Sequence, residues 1–532
     1  MCIRDSTLSS RVRMHAQERG DAIAVIDDGG ARRHTYSELG RHSSVVAEML
    51  LALGVQRGDV VSVQLPNAYE TVVVAVAVQS VGAVINPLLP NYRSRELTHV
   101  ITTARPRVVF TPAIYRGWDY REMVDEVQRL TGVATAHVVV DQDGAGGDVA
   151  LREVLERSDG TEQLRPVVTP ASAVSELIFS SGTEATPKAI MHTEETTNFA
   201  ARTVFRDLGF AEAPIVWMPS PVGHSTGFNC GLRPALYHGV TLVLQDRWQP
   251  SAAVELLRST GCNYTLAATT FLQDLVEECE RTDIRLSQMT HFGCGGAPVP
   301  ADLVARGDQI GLGVLRLYGS TEVLCATWNR PDSPFEKRAN TDGFPLSHCE
   351  IELRDEDGRQ LAVPGEGEIY VRGPNTSVGF LDDEVRTRAT YLADGWVRSG
   401  DLAQIDADGY VTIVGRKKEI IIRGGVNIAP RESADMLTTF PAVGRAAGVG
   451  VPGARLGARC CACLVLRPGC DMPFDTMTAR LREAGLATYK LPEQIRVFET
   501  FPVTASGKVQ KHEILREMLG QDQPDDDEEA SR

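Results

Sequence analysis

The stretch SSGTEATPKA, Ser180–Ala189, sets the hydroxyls of Ser180, Ser181, Thr183 and Thr186 around a single ammonium at Lys188. Hydroxyl donors beside a mobile cation suit phosphate oxygens, and Gly182 lets the backbone come close. A Walker-type loop would carry a second glycine before the lysine and a Ser or Thr after it. Pro187 and Ala189 occupy those places, so the nucleotide-triphosphatase reading fails. A phosphate loop of another kind and an ordinary surface turn after the strand-like SELIFS both remain open.

Four further segments hold more chemistry-bearing side chains than a fold requires. LYGSTE follows the strand-like GVLRL, at the kind of strand end where open α/β sheets collect ligands. There Tyr318 offers a ring for stacking on a base and Glu322 a carboxylate for Mg2+ on phosphates, although a capped turn would use the same residues. DGWVRSGD presents Asp401, which could accept both hydroxyls of a ribose or close a hairpin bend. GRKKEIIIRGGVNIAPRE opens on Arg416, Lys417 and Lys418 where the composition changes, which reads as a charged hinge or as a solvated face. Its Gly424 and Gly425 would admit a narrow ligand to the backbone. FPVTASGKVQKHE carries Lys508 on a glycine-containing loop, a residue whose meaning depends on its company.

Periodicity indicates the elements that must position these segments. Up to about Gly343, apolar strand-like runs alternate with helical patterns, as in GDVVSVQLP then NAYETVVVAVAVQSVGA, and GVTLVLQ then PSAAVELLRSTG. This predicts βα units and largely parallel sheets covered by helices. Beyond Gly343, short strands with acidic glycine turns predict a β-rich subdomain. At 532 residues the chain exceeds what one hydrophobic core serves. The expected fold is α/β: a large N-terminal domain of parallel sheets plus the β-rich subdomain (1–416), a small mobile α+β C-terminal domain (417–520) and an acidic disordered tail (521–532).

A formal net charge of -16 argues against a general nucleic-acid or anionic-membrane surface, so any anionic ligand needs a local cluster of cations. The longest apolar stretch, Thr71–Val84, is too short and interrupted to span a bilayer, and MCIRDS leads into polar sequence rather than a signal-peptide core. Among eleven cysteines only CCAC, Cys460–Cys463, has CxxC spacing, and it sits in an apolar run that reads as a buried strand. The expected setting is the reducing cytoplasm.

Together and in this order, the five segments resemble the adenylate-forming superfamily: acyl-CoA and aryl-CoA synthetases, nonribosomal peptide adenylation domains and firefly-type luciferases. The likeness runs from TYSEL to GKVQKHEIL, and SSGTEATPKAIMHTEETTN with MPSPVGHSTGF is most similar to bacterial medium-chain fatty acyl-CoA and cyclohexanecarboxylate-CoA ligases. The resemblance implies ATP, Mg2+ and coenzyme A acting on a small-molecule carboxylic acid. In its terms Ser181, Gly182, Thr183 and Lys188 wrap the β- and γ-phosphates, while Gly295, Gly296, Ala297, Tyr318 and Gly319 border adenine. Thr321 meets the α-phosphate, Glu322 with Thr183 holds Mg2+, and Asp401 and Arg416 contact ribose and phosphate. His224 gates the carboxylate, Lys508 is the catalytic lysine of the C-terminal domain, Lys418 the hinge, and Gly425 lies beside the pantetheine tunnel. Phe228, Thr270 and Cys325 are assigned to the acid pocket, and GHSTGF has no Asp to pair with an α-amine.

Two departures stand out. Ala185 and Ala189 replace smaller or freer residues of the family loop, and if position 185 needs positive φ the alanine adds ~1 kcal/mol of strain. The expected activity is carboxylate activation as acyl-AMP with pyrophosphate release, then transfer to CoA. The alternatives are loading of a carrier-protein pantetheine, a luciferase-like oxidation, or a non-catalytic nucleotide- or acyl-binding scaffold. A homodimer is compatible with the sequence.

Overall fold

The computed structural model describes residues 7–140, 151, 155, 165–180, 187–210, 213–423, 426–453, 457–504 and 508–521. Among these, one sheet takes its strands in the order 344–345, 324–328, 314–320, 291–295, 264–267, 216–218, 242–244, 23–27 and 32–35. The run from Val314–Ser320 to Ile23–Asp27 is parallel throughout, and the flanking strands are antiparallel. A second sheet, ordered 379–380, 189–193, 174–179, 84–87, 60–63, 108–111 and 136–139, is parallel from Val174–Phe179 onward. Parallel strands must be buried on both faces, which accounts for continuous apolar runs such as VVSV and VVFT.

The apolar stretch judged too short for a membrane is the helix Tyr69–Ser80, all of whose residues are buried. It touches Ile23–Asp27 of the first sheet and Val60–Val63 and Val84–Pro87 of the second. A helix covered on every side has no need of a polar face, so its sequence shows none. Among the described residues no helix is long and apolar enough to cross a membrane.

From Glu350 the chain forms an antiparallel sheet of strands 350–354, 365–372, 397–405 and 411–416. A last sheet, from Ile421 to Val497, wraps around the strand Gly457–Leu466. Cys460, Cys461 and Cys463 lie on that strand and are fully buried, as the apolar context of CCAC predicts.

The interior also holds a charged network. Arg233, with no exposed surface, donates to Glu176 at 2.9 Å, to Glu194 and Asn198 at 3.0 Å and to Asn229 at 3.2 Å. Glu194, the first residue of the helix Glu194–Leu208, in turn accepts from the Leu8 amide at 3.2 Å, tying the first helix to that one. Removing the cation would leave two dry carboxylates unpaired, a situation that costs about 3–5 kcal/mol. Arg233→Met is therefore expected to lower the denaturant midpoint by an amount of that order, and combining it with Glu176→Gln and Glu194→Gln is expected to recover much of the loss.

Candidate active site

The sequence-predicted residues gather because neighbouring parallel strands end side by side. After Val216–Met218 comes His224, after Tyr264–Ala267 comes Thr270, after His291–Gly295 come Gly296 and Ala297, and Val314–Ser320 carries Tyr318 near its end with Thr321 and Glu322 just beyond. Ligand sites of open α/β sheets form at such carboxyl ends. Tyr318 and Gly319 belong to the strand itself, which bulges between them, and a Cβ on Gly319 would collide with the Leu324 carbonyl. The tight reversal leaves Thr321 and Glu322 half-exposed at the sheet edge.

The loop to His224 is held by a residue that the sequence did not single out. Asn67 donates to the Ser220 carbonyl at 2.9 Å and accepts from the Val222 amide at 2.8 Å, and Gly223 passes so close to Leu88 that no side chain would fit. His224 Nδ1 accepts from the Thr226 amide at 3.2 Å, leaving the ring hydrogen of the neutral form on Nε2. Burial, reinforced by the Lys508 cation, pushes the His224 pKa down to about 3.

Asp401 lies within the strand Val397–Ile405, directly opposite Arg416. Its carboxylate accepts from the Tyr318 hydroxyl at 2.8 Å and pairs with Arg416 Nε at 3.0 Å. Burial raises its pKa although Arg416, Tyr318 and Lys508 oppose the shift. The Tyr318 ring is 6% exposed and packs with Val323, Leu353, Ile369 and Val397, so most of it serves the core while its hydroxyl orients Asp401.

Lys508 reaches this place from the far end of the chain. A Cβ on Gly296 would stand 3.1 Å from Lys508 Cε and 3.6 Å from Nζ. Burial and the nearby Arg416 lower the Lys508 pKa, while Asp401 and Glu322 raise it. One lysine thus senses His224, Asp401, Arg416 and Glu322 together.

At the phosphate loop, Ser180 and Lys188 are joined by two hydrogen bonds: the Ser180 amide donates to the Lys188 carbonyl at 2.8 Å and the Lys188 amide to Ser180 Oγ at 3.1 Å. The Lys188 ammonium stands 5.7 Å from the centre of the Phe380 ring. Ser181, Gly182, Thr183, Ala185 and Gly425 lie outside the described residues, as do the MCIRDS start and most of the acidic tail. Lys418 is exposed beside the strand Val411–Arg416. A small, mostly apolar cavity is lined by Ala200, Val204, Asn229, Cys230, Tyr264 and Cys325, among others. Cys325 reaches it, whereas Phe228 is buried under the Arg233 guanidinium and Thr270 lies outside the lining.

The Glu322 carboxylate is a hard oxygen donor of the kind Mg2+ prefers, while Thr183, expected to share the ion, lies outside the described residues. Among the described residues no group of three His, Cys, Asp or Glu side chains could hold a metal by itself, so such an ion would share its shell with phosphate oxygens.

An open α/β sheet with cations and carboxylates at its carboxyl edge, met by a lysine from a smaller C-terminal unit, defines a nucleotide-using enzyme. Residues 12–381 match the model of the AMP-binding enzyme family and residues 432–508 that of the AMP-binding enzyme C-terminal domain, and the chain belongs to this adenylate-forming family. It is 34% identical to the medium-chain fatty-acid–CoA ligase of Escherichia coli (strain K12) over 97% of this chain and 91% of that one. It is 29% identical to the 2,3-dihydroxybenzoate-AMP ligase of Bacillus subtilis (strain 168), over 98% and 95%. The crystal structure of ATP-bound MatB from Rhodopseudomonas palustris matches with a TM-score of 0.86 at 25% identity, covering 96% of this chain and 98% of that one.

Two predictions follow from this geometry. Gly296 has φ +78° and faces Lys508, so Gly296→Ala adds strain and displaces the ammonium. It is expected to slow pyrophosphate release about tenfold, while thioester formation from preformed acyl-adenylate stays near wild type. For His224, the unfolded imidazole takes up a proton near its ordinary 6.5 and the native one only near 3. Stability therefore declines as pH falls from about 6.5 toward 3, because the unfolded chain binds the extra proton. His224→Asn is expected to flatten this decline in denaturation midpoints measured across the same range.

Proposed function

We propose that the enzyme is an ATP- and Mg2+-dependent carboxylate–CoA ligase for an aliphatic, alicyclic or aryl acid. The observation that carries this reading is the convergence of Lys508, His224, Asp401, Arg416 and Glu322 from distant parts of the chain. In the first step a carboxylate oxygen attacks the α-phosphorus, the bond from that phosphorus to the bridging oxygen breaks, and pyrophosphate leaves. Negative charge spreads over the α-phosphate and the departing group, where Lys508 and Lys188 would stabilise it. Asp401, held by Tyr318 and Arg416, fixes the ribose, and neutral His224 stands beside the acid without adding charge. Mg2+, held by Glu322 and a threonine hydroxyl, would neutralise phosphate oxygens. In the second step the CoA sulfur attacks the acyl carbonyl, the bond to AMP oxygen breaks, and the thiol proton passes to solvent.

Lys508 occupies the site in the arrangement described, which suits the first step. The unit 417–520 would then rotate about Lys418 and bring the Gly425 segment forward for the second. The apolar cavity at Cys325 favours a hydrocarbon group on the acid over an α-amine. Among the described residues the cysteines form no disulfide and most are buried, which favours a reducing cytoplasm. Similarity to AMP ligases, among them one named salicyl-AMP ligase / salicyl-S-ArCP synthetase, keeps a carrier-protein pantetheine as the second acceptor to test.

A pyrophosphate-release screen over fatty, alicyclic and aromatic acids, followed by CoA consumption, tests the reading; no release with any acid would sink it. Lys508→Ala is expected to cut pyrophosphate release by roughly a thousandfold while leaving ATP binding within a few-fold. Loaded carrier protein consumed in preference to free CoA would transfer the activity to the second acceptor.

A further inference from the structure

Thr321 and Glu322 face the site, and the carbonyls of their turn are gripped from behind. His192, with no exposed surface, lies with Nε2 2.7 Å from the Thr321 carbonyl. A carbonyl only accepts, so Nε2 carries the hydrogen. With that hydrogen on Nε2, Nδ1 of the neutral ring is an acceptor, and it lies 3.1 Å from the Thr196 hydroxyl. The Ser377 amide donates to the Glu322 carbonyl at 2.8 Å, and Asn375 Nδ2 donates to the carbonyls of Val323 and, at 3.2 Å, Cys325. Where the turn enters the strand Leu324–Trp328, Leu324 has φ +51°, a left-handed conformation uncommon for a bulky residue.

These anchors share a backbone with the phosphate loop. His192 lies on the strand Ala189–Thr193, which begins directly after Lys188. The Val378 amide donates to the Met191 carbonyl at 2.9 Å, and Gly379 and Phe380 pair with Met191 and Ile190. One strand therefore places Lys188 at its start and grips the Glu322 turn four residues on, while the segment that braces that strand grips the same turn from Asn375 and Ser377.

We propose that His192 is a positioning residue for acid activation: its Nε2–H fixes the Thr321 peptide, so that the Thr321 hydroxyl and Glu322 carboxylate stay in register with Lys188 around the nucleotide phosphates. This rests on the ligase reading above and adds to it a residue that touches no substrate. The second half-reaction no longer involves the pyrophosphate side, so it should depend little on the clamp.

The test compares His192→Leu, which removes the donor, with His192→Gln, whose Nε2 can take over the same donation. Pyrophosphate release is measured against Mg2+ concentration with the best acid of the screen, and thioester formation is measured separately from synthetic acyl-adenylate. His192→Leu is expected to lose about 10–100-fold in the first half-reaction, the range for second-layer partners of a metal site, with a higher Mg2+ requirement. The second half-reaction should stay within about twofold, and His192→Gln should recover most of the first. Equal losses in both halves, an unchanged Mg2+ requirement, or Gln no better than Leu would overturn the proposal. Wild type that releases no pyrophosphate with any acid would fail the ligase reading instead. The clamp is then judged by calorimetry with Mg·ATP: metal-dependent binding weakened in Leu and restored in Gln supports it, and equal binding in all three proteins overturns it.

Discussion

Everything in this site turns on the approach of Lys508 to the bare backbone at Gly296. An ammonium at the end of a flexible stem acts at a defined point only if something else fixes the stem. Here the Lys508 amide donates to Thr504 Oγ1 at 3.1 Å and the Thr504 amide to the Lys508 carbonyl at 2.7 Å, so the chain on either side of residues 505–507 is pinned. On the opposite side the absent side chain at Gly296 leaves the channel that the stem follows. The two halves are complementary because one lacks what the other supplies.

The local balance of charge inverts that of the molecule. A chain of net charge -16 repels a triphosphate at long range, yet Arg416 and Lys508 stand close enough to act on each other at one place. Screening confines the general repulsion to about 10 Å at ordinary ionic strength, whereas cations at contact distance from a bound ligand are screened much less. Asp401 and Glu322 oppose the repulsion between Arg416 and Lys508, and Asp401 is in turn steered by Tyr318.

The sequence made the motifs legible because each is contiguous: a glycine beside hydroxyls, a carboxylate after a strand, a lysine on a loop. The alternation of apolar runs conveyed the parallel sheets for the same reason, and the apolar stretch 71–84 read as too short and interrupted for a membrane. His192, Asn67, Asn375 and Arg233 were not legible. Their types are ordinary in any core, and their meaning comes from partners such as Thr321, Val222, Val323 and Glu176 that lie far away in sequence. Tyr318 was placed in the right locality, but its burial in an apolar cluster depends on strands that pack across it and could not be read from LYGSTE. The IMHT segment offered one usable signal, a polar imidazole on a strand whose neighbours are apolar, which requires a partner once buried.

The strain at Leu324 indicates why such partners are needed. A left-handed residue of this kind costs about 1–2 kcal/mol and would relax if the turn were free, carrying Thr321 and Glu322 with it. Glycine at 324 would relieve the strain but would also loosen the turn, since glycine has more conformations to lose. The protein instead keeps a side chain there, packs Leu324 into the interior at 4% exposure, and holds the neighbouring carbonyls by donors from two other segments. A strained turn held by donors on several sides is confined, and for a carboxylate and a hydroxyl proposed to meet a phosphate chain together, being confined matters more than being relaxed.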